Sequence, residues 1–316
     1  MKADKLFYAY EWIQGLLLSL RVTSGAPRLC QVAVRMTQDL GRQYAPRSLK
    51  LILDAGGCSL KALKGLLRLA HTHGVIFYLK AVKTPPLKTL WYQAIEQFGT
   101  QEVVHPHDLN RPPDEQRKLQ VTDVFTSLPG LGPELRTLLI YRPQEEDEDR
   151  RLMAIYTNDL ACTPAQGYAY FGQRQHHELT YRVLTHDLNL DVLPKTYALH
   201  PKDPKHPNRK TQRAFLIAWI KALAFNLLRA WQQHALPEAF RQTTVGTLVR
   251  KFLRRNATLQ VTDEGILVTL EYFRDQHYLG DYVRSLNAQQ VQIPWLDHRV
   301  LKIQLMSPTS IPFFPQ

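Results

Sequence analysis

The stretch LKLILDAGGCS, Leu49 to Ser59, decides how the rest of the chain is read. LKLIL is a short apolar run bounded by Pro46 on one side and by Gly56 and Gly57 on the other, the pattern of a strand in the middle of a sheet. Asp54 stands at its C-terminal end, and Ser59 is placed to cap a helix running through Ala70. GVIFYLKAV, from Gly74, reads as a second core strand. Two strands flanking one helix form a right-handed parallel crossover, and open α/β sheets place chemistry at the strand ends.

Upstream, WIQGLLLSLRVT reads as a buried strand ending at the Ser24 to Pro27 break, and the segment Leu29 to Tyr44 carries apolar residues at helical spacing. The opening MKADKLFYAYEW is not a signal peptide, because Asp4, Lys5 and Glu11 break its apolar run, and no strand is expected to precede or contain Asp4.

Downstream, residues 83–150 are punctuated by prolines and hold short strand-like pieces such as KLQVTDVF and RTLLIYR, so they read as a β-rich insertion. The acidic run EEDED, Glu145 to Asp149, is a solvated turn joining TLLIYR to RLMAIYTN as a hairpin. After Pro164, QGYAYFGQRQHHELTYRVLTHDL reads as one long helix despite Gly172. AFLIAWIKALAFNLL, Ala214 to Leu228, is expected to be a buried helix. Lys221 and Asn226 interrupt it, and it falls short of the roughly 20 residues that span a bilayer. From Ala257, two strand-like pieces around a helical stretch suggest a small appended β element. The expected organisation is therefore residues 1–82 and 151–235 as two parts of one α/β core, 83–150 as the insertion and 236–316 as a C-terminal α/β appendage.

At 316 residues and 44% hydrophobic content the chain can bury a sizeable core. Forty Lys and Arg against 28 Asp and Glu leave a formal charge of +12, which favours a polyanionic partner, nucleic acid or an acidic membrane. Cys30, Cys58 and Cys162 stand far apart and are odd in number. That excludes a paired-cysteine metal motif and argues for a reducing, cytosolic setting rather than a secreted disulfide framework.

Cleavage of a phosphodiester by two metals needs carboxylates converging on ions about 4 Å apart. Asp54, at a strand end with glycines behind it, suits that task, although an Asp before Gly is commonly a turn or cap residue. In FGQRQHHE, Phe171, Arg174 and Glu178 are spaced to share a helix face, where Arg174 and Glu178 also make an ordinary ion pair. His176 and His177 are adjacent, point to different sides and cannot form the two-histidine zinc motif. Lys202, Lys205, Arg209, Lys210 and Arg213 cluster before the apolar helix, and Arg250, Lys251, Arg254 and Arg255 form a second group. Both are either phosphate contacts or solvated surface.

In this order the segments resemble the catalytic part of DDE transposases of insertion sequences. LKLILDAGGCS, with a helix and GVIFYLKAV after it, is similar to their second-aspartate strand. RLMAIYTND and FGQRQHHELTYRVLTHDLNLDVLP resemble their last core strand and the helix bearing the Tyr-(2)-Arg-(3)-Glu signature. RAFLIAWIKALAFNLLRAW is similar to the apolar helix that comes next. The resemblance implies an RNase H-like mixed sheet flanked by helices, and DNA cleavage and strand transfer in transposition and recombination with Mg²⁺ or Mn²⁺. It implies Asp54 and Glu178 as metal-binding catalytic carboxylates and Arg174 as a DNA-phosphate ligand. Transposon ends and target DNA would be the partners, a homodimer the synaptic assembly, the nucleoid in the cytoplasm the location, and no membrane is involved.

The chain departs from that pattern at three places. Phe171 stands where the signature has Tyr, with Tyr170 one residue out of register, and Thr185 where it has Lys, leaving Lys195 as an unmatched substitute. The first aspartate belongs on an opening strand before WIQGLLLSLRVT, where only Asp4 and Glu11 are acidic, so the resemblance implies a truncated or decayed element. A catalytically inactive DNA-binding remnant is the second expectation. A basic protein with another kind of partner is the third, and it requires Asp54 and Glu178 to lie more than about 10 Å apart.

Overall fold

The computed structural model describes residues 5–11, 13, 15–23, 29–44, 49–105, 108, 110–188, 209–241, 243–263, 265–271 and 277–306. The chain divides into two compact units: Met1–Tyr181 with Leu193–Trp219, and Arg182–Val192 with Ile220–Gln316.

The first unit opens with an antiparallel hairpin, β1 (Lys5–Glu11) and β2 (Leu16–Thr23), turned at Gly15 with φ 73°. β1 begins just after Asp4, which itself lies outside the described residues. Leu6, Phe7, Tyr8 and Tyr10 favour a half-buried pleated surface, and the charges fall only at the two ends, Lys5 and Glu11. Helix α1 (Leu29–Tyr44) and strand β3 (Leu49–Leu53) come next, as read from the sequence.

Helix α2 (Leu60–His73) begins at Ser59, whose Oγ accepts from the Ala62 N–H at 3.1 Å, and ends at Gly74, left-handed with φ 62°. Its buried stripe, Ala62, Leu63, Leu66 and Leu69, recurs at helical spacing; fully burying one such Leu stabilises by roughly 2 kcal/mol. β4 (Val75–Lys80) then pairs parallel to β3, completing the crossover.

Residues 83–150 hold helix α3 (Pro85–Phe98), strands β5 (Gln101–Val104), β6 (Lys118–Thr126) and β7 (Leu135–Tyr141), and a single helical turn, α4 (Glu148–Arg151). Their strands continue one six-stranded sheet with the core, in the order β3-β4-β8-β7-β6-β5, where β8 is Leu152–Thr157. Only β3 and β4 run parallel; the other neighbours are antiparallel, so the sheet is mixed. Core residues lie on both faces: Leu66, Phe77, Leu79 and Trp91 on one, Tyr78, Leu138, Ile140 and Phe171 on the other.

The expected long helix is in fact two, α5 (Pro164–Gly172) and α6 (Arg174–Arg182), separated at Gln173, and a π-helical turn runs over Val183–Asp187. Gly172, with its low helix propensity, ends α5. α5 starts with a capping box in which Thr163 and Gln166 bond reciprocally. A Cβ on Gly167 would stand 2.3 Å from Cδ1 of the buried Leu138, so any larger residue there must displace that side chain or lift α5 from β7.

Helix α7 (Arg209–His234) contains the apolar run. Ala218, Ala222 and Phe225 are buried, but Leu216, Ile220, Leu223 and Leu227 are exposed, which corrects the reading of a fully buried helix. Apolar residues surround this helix, and only one face of it is covered. Among the described residues no helix is long and apolar enough to cross a membrane.

In the second unit, the short helix α8 (Val245–Leu248) precedes strands β9 (Ala257–Thr262) and β10 (Gly265–Leu270), helix α9 (His277–Ala288), and strands β11 (Gln292–Ile293) and β12 (Arg299–Leu305). They form a four-stranded sheet in the order β11-β12-β10-β9, with β10 and β12 parallel. Trp231, Phe240, Phe252, Tyr278 and Tyr282 make an aromatic cluster in this unit. The ammonium of Lys251 lies 5.2 and 5.1 Å from the rings of Phe240 and Tyr278, and Arg255 reaches the Tyr278 hydroxyl, so these two members of the second basic group pack on the aromatic cluster, while Arg250 and Arg254 are exposed.

Candidate active site

Asp54 comes directly after β3. Its Oδ1 accepts from the Ala55 N–H at 2.8 Å, so the carboxylate caps the turn Ala55–Gly57. The cap consumes only part of its capacity, since an ionised carboxylate offers about four lone-pair sites. Lys80 Nζ, from the end of the neighbouring strand β4, lies 3.7 Å from Oδ1. Arg174 Nη1, from the first turn of α6, lies 3.4 Å from Oδ2, and the same nitrogen bonds Glu178 Oε1 at 2.5 Å.

Asp54 and Glu178 thus share one guanidinium nitrogen, and their oxygens can be no further apart than those two contacts laid end to end, about 5.9 Å. Separation beyond about 10 Å, required by the third expectation, is ruled out. Both carboxylates stay accessible, at 47% and 55% side-chain exposure. Arg174 is held from behind by the ring of Phe171, 6.0 Å away, so Phe171 serves as an apolar backstop without a hydroxyl. Tyr170 faces elsewhere: its ring supports the Lys50 ammonium at 3.7 Å.

Around Asp54 cations alternate with carboxylates, and farther along Arg150 pairs with Asp147 at 3.2 Å. A cleft of about 490 Å³ begins at Ala55 and Lys80 and is lined further by Lys83, Arg142, Asp149 and Arg150 over an apolar floor that includes Leu152 and Met153. Lys83 donates to the Asp149 carbonyl, and Lys88 pairs with the Asp149 carboxylate at 2.6 Å. Burial pushes the Lys83 ammonium below its ordinary pKa, opposed by Asp149 and reinforced by Lys88 and Lys80.

Of the other residues singled out in the sequence, Lys202, Lys205 and Lys195 lie outside the described residues. Arg209, Lys210 and Arg213 fall on the first turns of α7, with side chains outside the described residues. Among the described residues no group of three or more His, Cys, Asp and Glu is placed to hold a metal ion.

A second polar cluster, with no signal in the sequence, sits after β8. Asp159 is 6% exposed and accepts from the Tyr78 hydroxyl at 2.5 Å and from the N–H groups of Ala161 and Cys162 at 3.1 and 3.2 Å. Arg136, 7% exposed, donates through Nη1 to the carbonyls of Asp159 and Cys162 and pairs with Asp123 through Nε at 2.7 Å. Burial alone would raise the Asp159 carboxyl, but these hydrogen bonds, with Lys50 at 3.9 Å, together hold it below its ordinary value. Burial and the bond to Asp159 push the Tyr78 phenol upward. Every polar group in this cluster is satisfied internally, which is the mark of a structural network.

No protein-family model matches the chain, and no curated protein is significantly similar to it.

Proposed function

We propose that this chain carries an RNase H-like catalytic core of the DDE transposase type, in which Asp54 and Glu178 are two carboxylates of a metal-dependent DNA strand-cleavage site. The observation that carries the reading is the convergence of Asp54, at a strand end, and Glu178, on α6, upon one nitrogen of Arg174. The guanidinium stands as a cation between the two carboxylates, and the hard oxygen donors suit Mg²⁺ or Mn²⁺. Bound there, a divalent ion would polarise a phosphodiester and lower the pKa of the attacking water. Arg174 would then turn its planar fork to a phosphate oxygen.

An open edge supports the expectation of an additional strand. β3 is the last strand of its sheet, and among the described residues nothing pairs with its outer edge, although Leu49, Leu51, Ile52 and Leu53 are each half-buried. The hairpin β1–β2 forms a separate sheet, and Tyr8 of β1 stacks on Tyr181 of α6 at 6.5 Å. We propose that a strand bearing the third carboxylate belongs on this edge, next to Asp54. Translation of the DNA upstream of the Met1 codon in all three frames tests this: an Asp-bearing, strand-forming segment supports the proposal, and its absence counts against an active enzyme.

The second reading, an inactive DNA-binding remnant, is favoured by the charge around Asp54. Lys80 and Arg174 together neutralise Asp54, and no third carboxylate joins the pair among the described residues. Nicking of supercoiled plasmid in Mn²⁺ separates the two. Metal-dependent nicking that Glu178→Gln abolishes supports the enzyme. Salt-sensitive binding without nicking, unchanged by Glu178→Gln, supports the remnant.

A further inference from the structure

We propose that strand β9 is a self-association surface: two copies of this chain join β9 to β9 antiparallel about a two-fold axis, fusing their four-stranded sheets into one. This goes beyond the reading above, because it uses the second unit alone and requires neither the carboxylate pair nor DNA. β9 is the last strand of its sheet, all of its residues are exposed, and among the described residues nothing pairs with its outer edge. Open edges are ordinarily guarded by a charge, a proline, a bulge or very short length. β5, an edge of the larger sheet, is four residues long and carries Glu102. β9, ATLQVT, has six residues, no charge and no proline, and its register with β10 runs without a shift.

The backbone fixes which groups point outward. The Asn256 carbonyl accepts from the Glu271 N–H at 3.1 Å, and Thr262 pairs with Gly265 at the turn into β10. Hydrogen-bonding direction alternates along a strand, so Asn256, Thr258, Gln260 and Thr262 turn their backbone groups to β10, and Ala257, Leu259 and Val261 turn theirs to the open edge. Directly opposite residues of an antiparallel pair share a face. Val261 lies opposite the buried Ile266, and Leu259 opposite Val268, so the apolar face of β10 runs out to Leu259 and Val261, which are 62% and 53% exposed. A two-fold axis through Leu259 sets it against the partner's Leu259, and sets Val261 against the partner's Ala257. Every outward N–H and C=O is then paired, in about six hydrogen bonds, and the apolar face continues across the join. The flanking charges agree. Arg254 and Arg255 precede the strand and Asp263 and Glu264 follow it, so antiparallel pairing brings each basic end to an acidic one. This self-complementarity selects a second copy over a foreign strand.

The test is sedimentation velocity of the full chain, without DNA or metal, over about 1–100 µM, since a single strand pair is a small interface at the weak end of specific association. A reversible dimer is expected. Leu259→Lys, which sets two ammonium groups face to face at the axis, should weaken it at least about ten-fold. Equal thermal melting of the variant separates a lost contact from a lost fold. The register is read with Leu259→Cys and Gln260→Cys under mild copper-phenanthroline oxidation, with linked peptides mapped by mass spectrometry because Cys30 and Cys58 are only half-buried. Leu259→Cys should give a disulfide between the two substituted positions, whose Cα atoms stand about 5.5 Å apart across the axis. Gln260→Cys, opposite the partner's Thr258, should give none. A monomer throughout the range overturns the proposal, as does a dimer that Leu259→Lys leaves intact, an assembly larger than a dimer, or linkage from Gln260→Cys in place of Leu259→Cys. A monomer that nicks DNA removes this surface and keeps the catalytic reading, and a dimer that fails to nick does the reverse.

Discussion

Two aspartates end strands of the same six-stranded sheet, and they differ in almost everything else. Asp159, after β8, is buried, and its oxygens are taken up by the Tyr78 hydroxyl and two backbone N–H groups. Asp54, after β3, is 47% exposed, spends one bond on its own turn and meets its cations at 3.4 and 3.7 Å. β8 runs antiparallel to β4, so the two acids lie at opposite ends of the strands. An acid at a strand end does not by itself define a site. What separates a structural acid from one open to a ligand is how much of its hydrogen-bonding capacity the fold has already used.

The largest effect that sharpens this contrast is on stability. Asp159→Ala is expected to cost about 3 kcal/mol or more, because it strands a buried phenol and two amides and leaves Arg136 with a weakened loop. Urea unfolding checks it, and a loss below about 1 kcal/mol would erase the distinction between the two ends.

Next in size is Gly167→Ala. Its Cβ would overlap Cδ1 of the buried Leu138, so that side chain or α5 must give way, costing about 1–3 kcal/mol. A thermal melt reads the loss, and an unshifted melting temperature would show that α5 is loosely seated.

Acid dependence is smaller and points one way. The Asp159 carboxyl is held below its ordinary value in the folded protein, so the stability it contributes is full above the unfolded carboxyl pKa, about 3.9, and is lost as pH falls through the folded value. Asp108 behaves alike: the Arg117 guanidinium holds its carboxyl down at about 2. Asp159→Asn should therefore flatten the fall in stability below pH about 4. An unchanged acid limb would show that Asp159 is not ionised in its network.

The smallest stability effect belongs to the candidate site. Glu178→Gln should change stability by no more than about 0.5 kcal/mol, since the pair it breaks is an exposed i,i+4 ion pair. A loss of more than about 2 kcal/mol in the same urea titration would make Glu178 structural and its likeness to Asp159 real.

Much of the core is legible in the sequence. The strand Leu49–Leu53, the Ser59 cap, the parallel partner Val75–Lys80 and the helix Leu29–Tyr44 all arise from local patterns of period, cap and breaker. Local pattern fails where pairing is long-range. β1 escapes it because KLFYAYE gains its strand character only by pairing with Leu16–Thr23. The break at Gln173 escapes it because no proline marks it and an isolated glycine such as Gly172 is tolerated inside a helix. At the site, Asp54, Arg174 and Glu178 can be singled out from strand-end and helix spacing, but their meeting is a tertiary fact. Lys80, the cleft it lines and the Asp159 network have no signal, because each is assembled from residues far apart in the chain.

Binding of Mn²⁺, monitored by electron paramagnetic resonance, tests the central claim most directly, comparing the unaltered protein with Asp54→Asn, Glu178→Gln and Asp159→Asn. The carboxylate pair predicts a bound ion whose affinity falls at least about ten-fold, about 1.4 kcal/mol, in either of the first two variants and stays unchanged in folded Asp159→Asn. Equal affinity in the unaltered protein, Asp54→Asn and Glu178→Gln, or no binding at all, would contradict it.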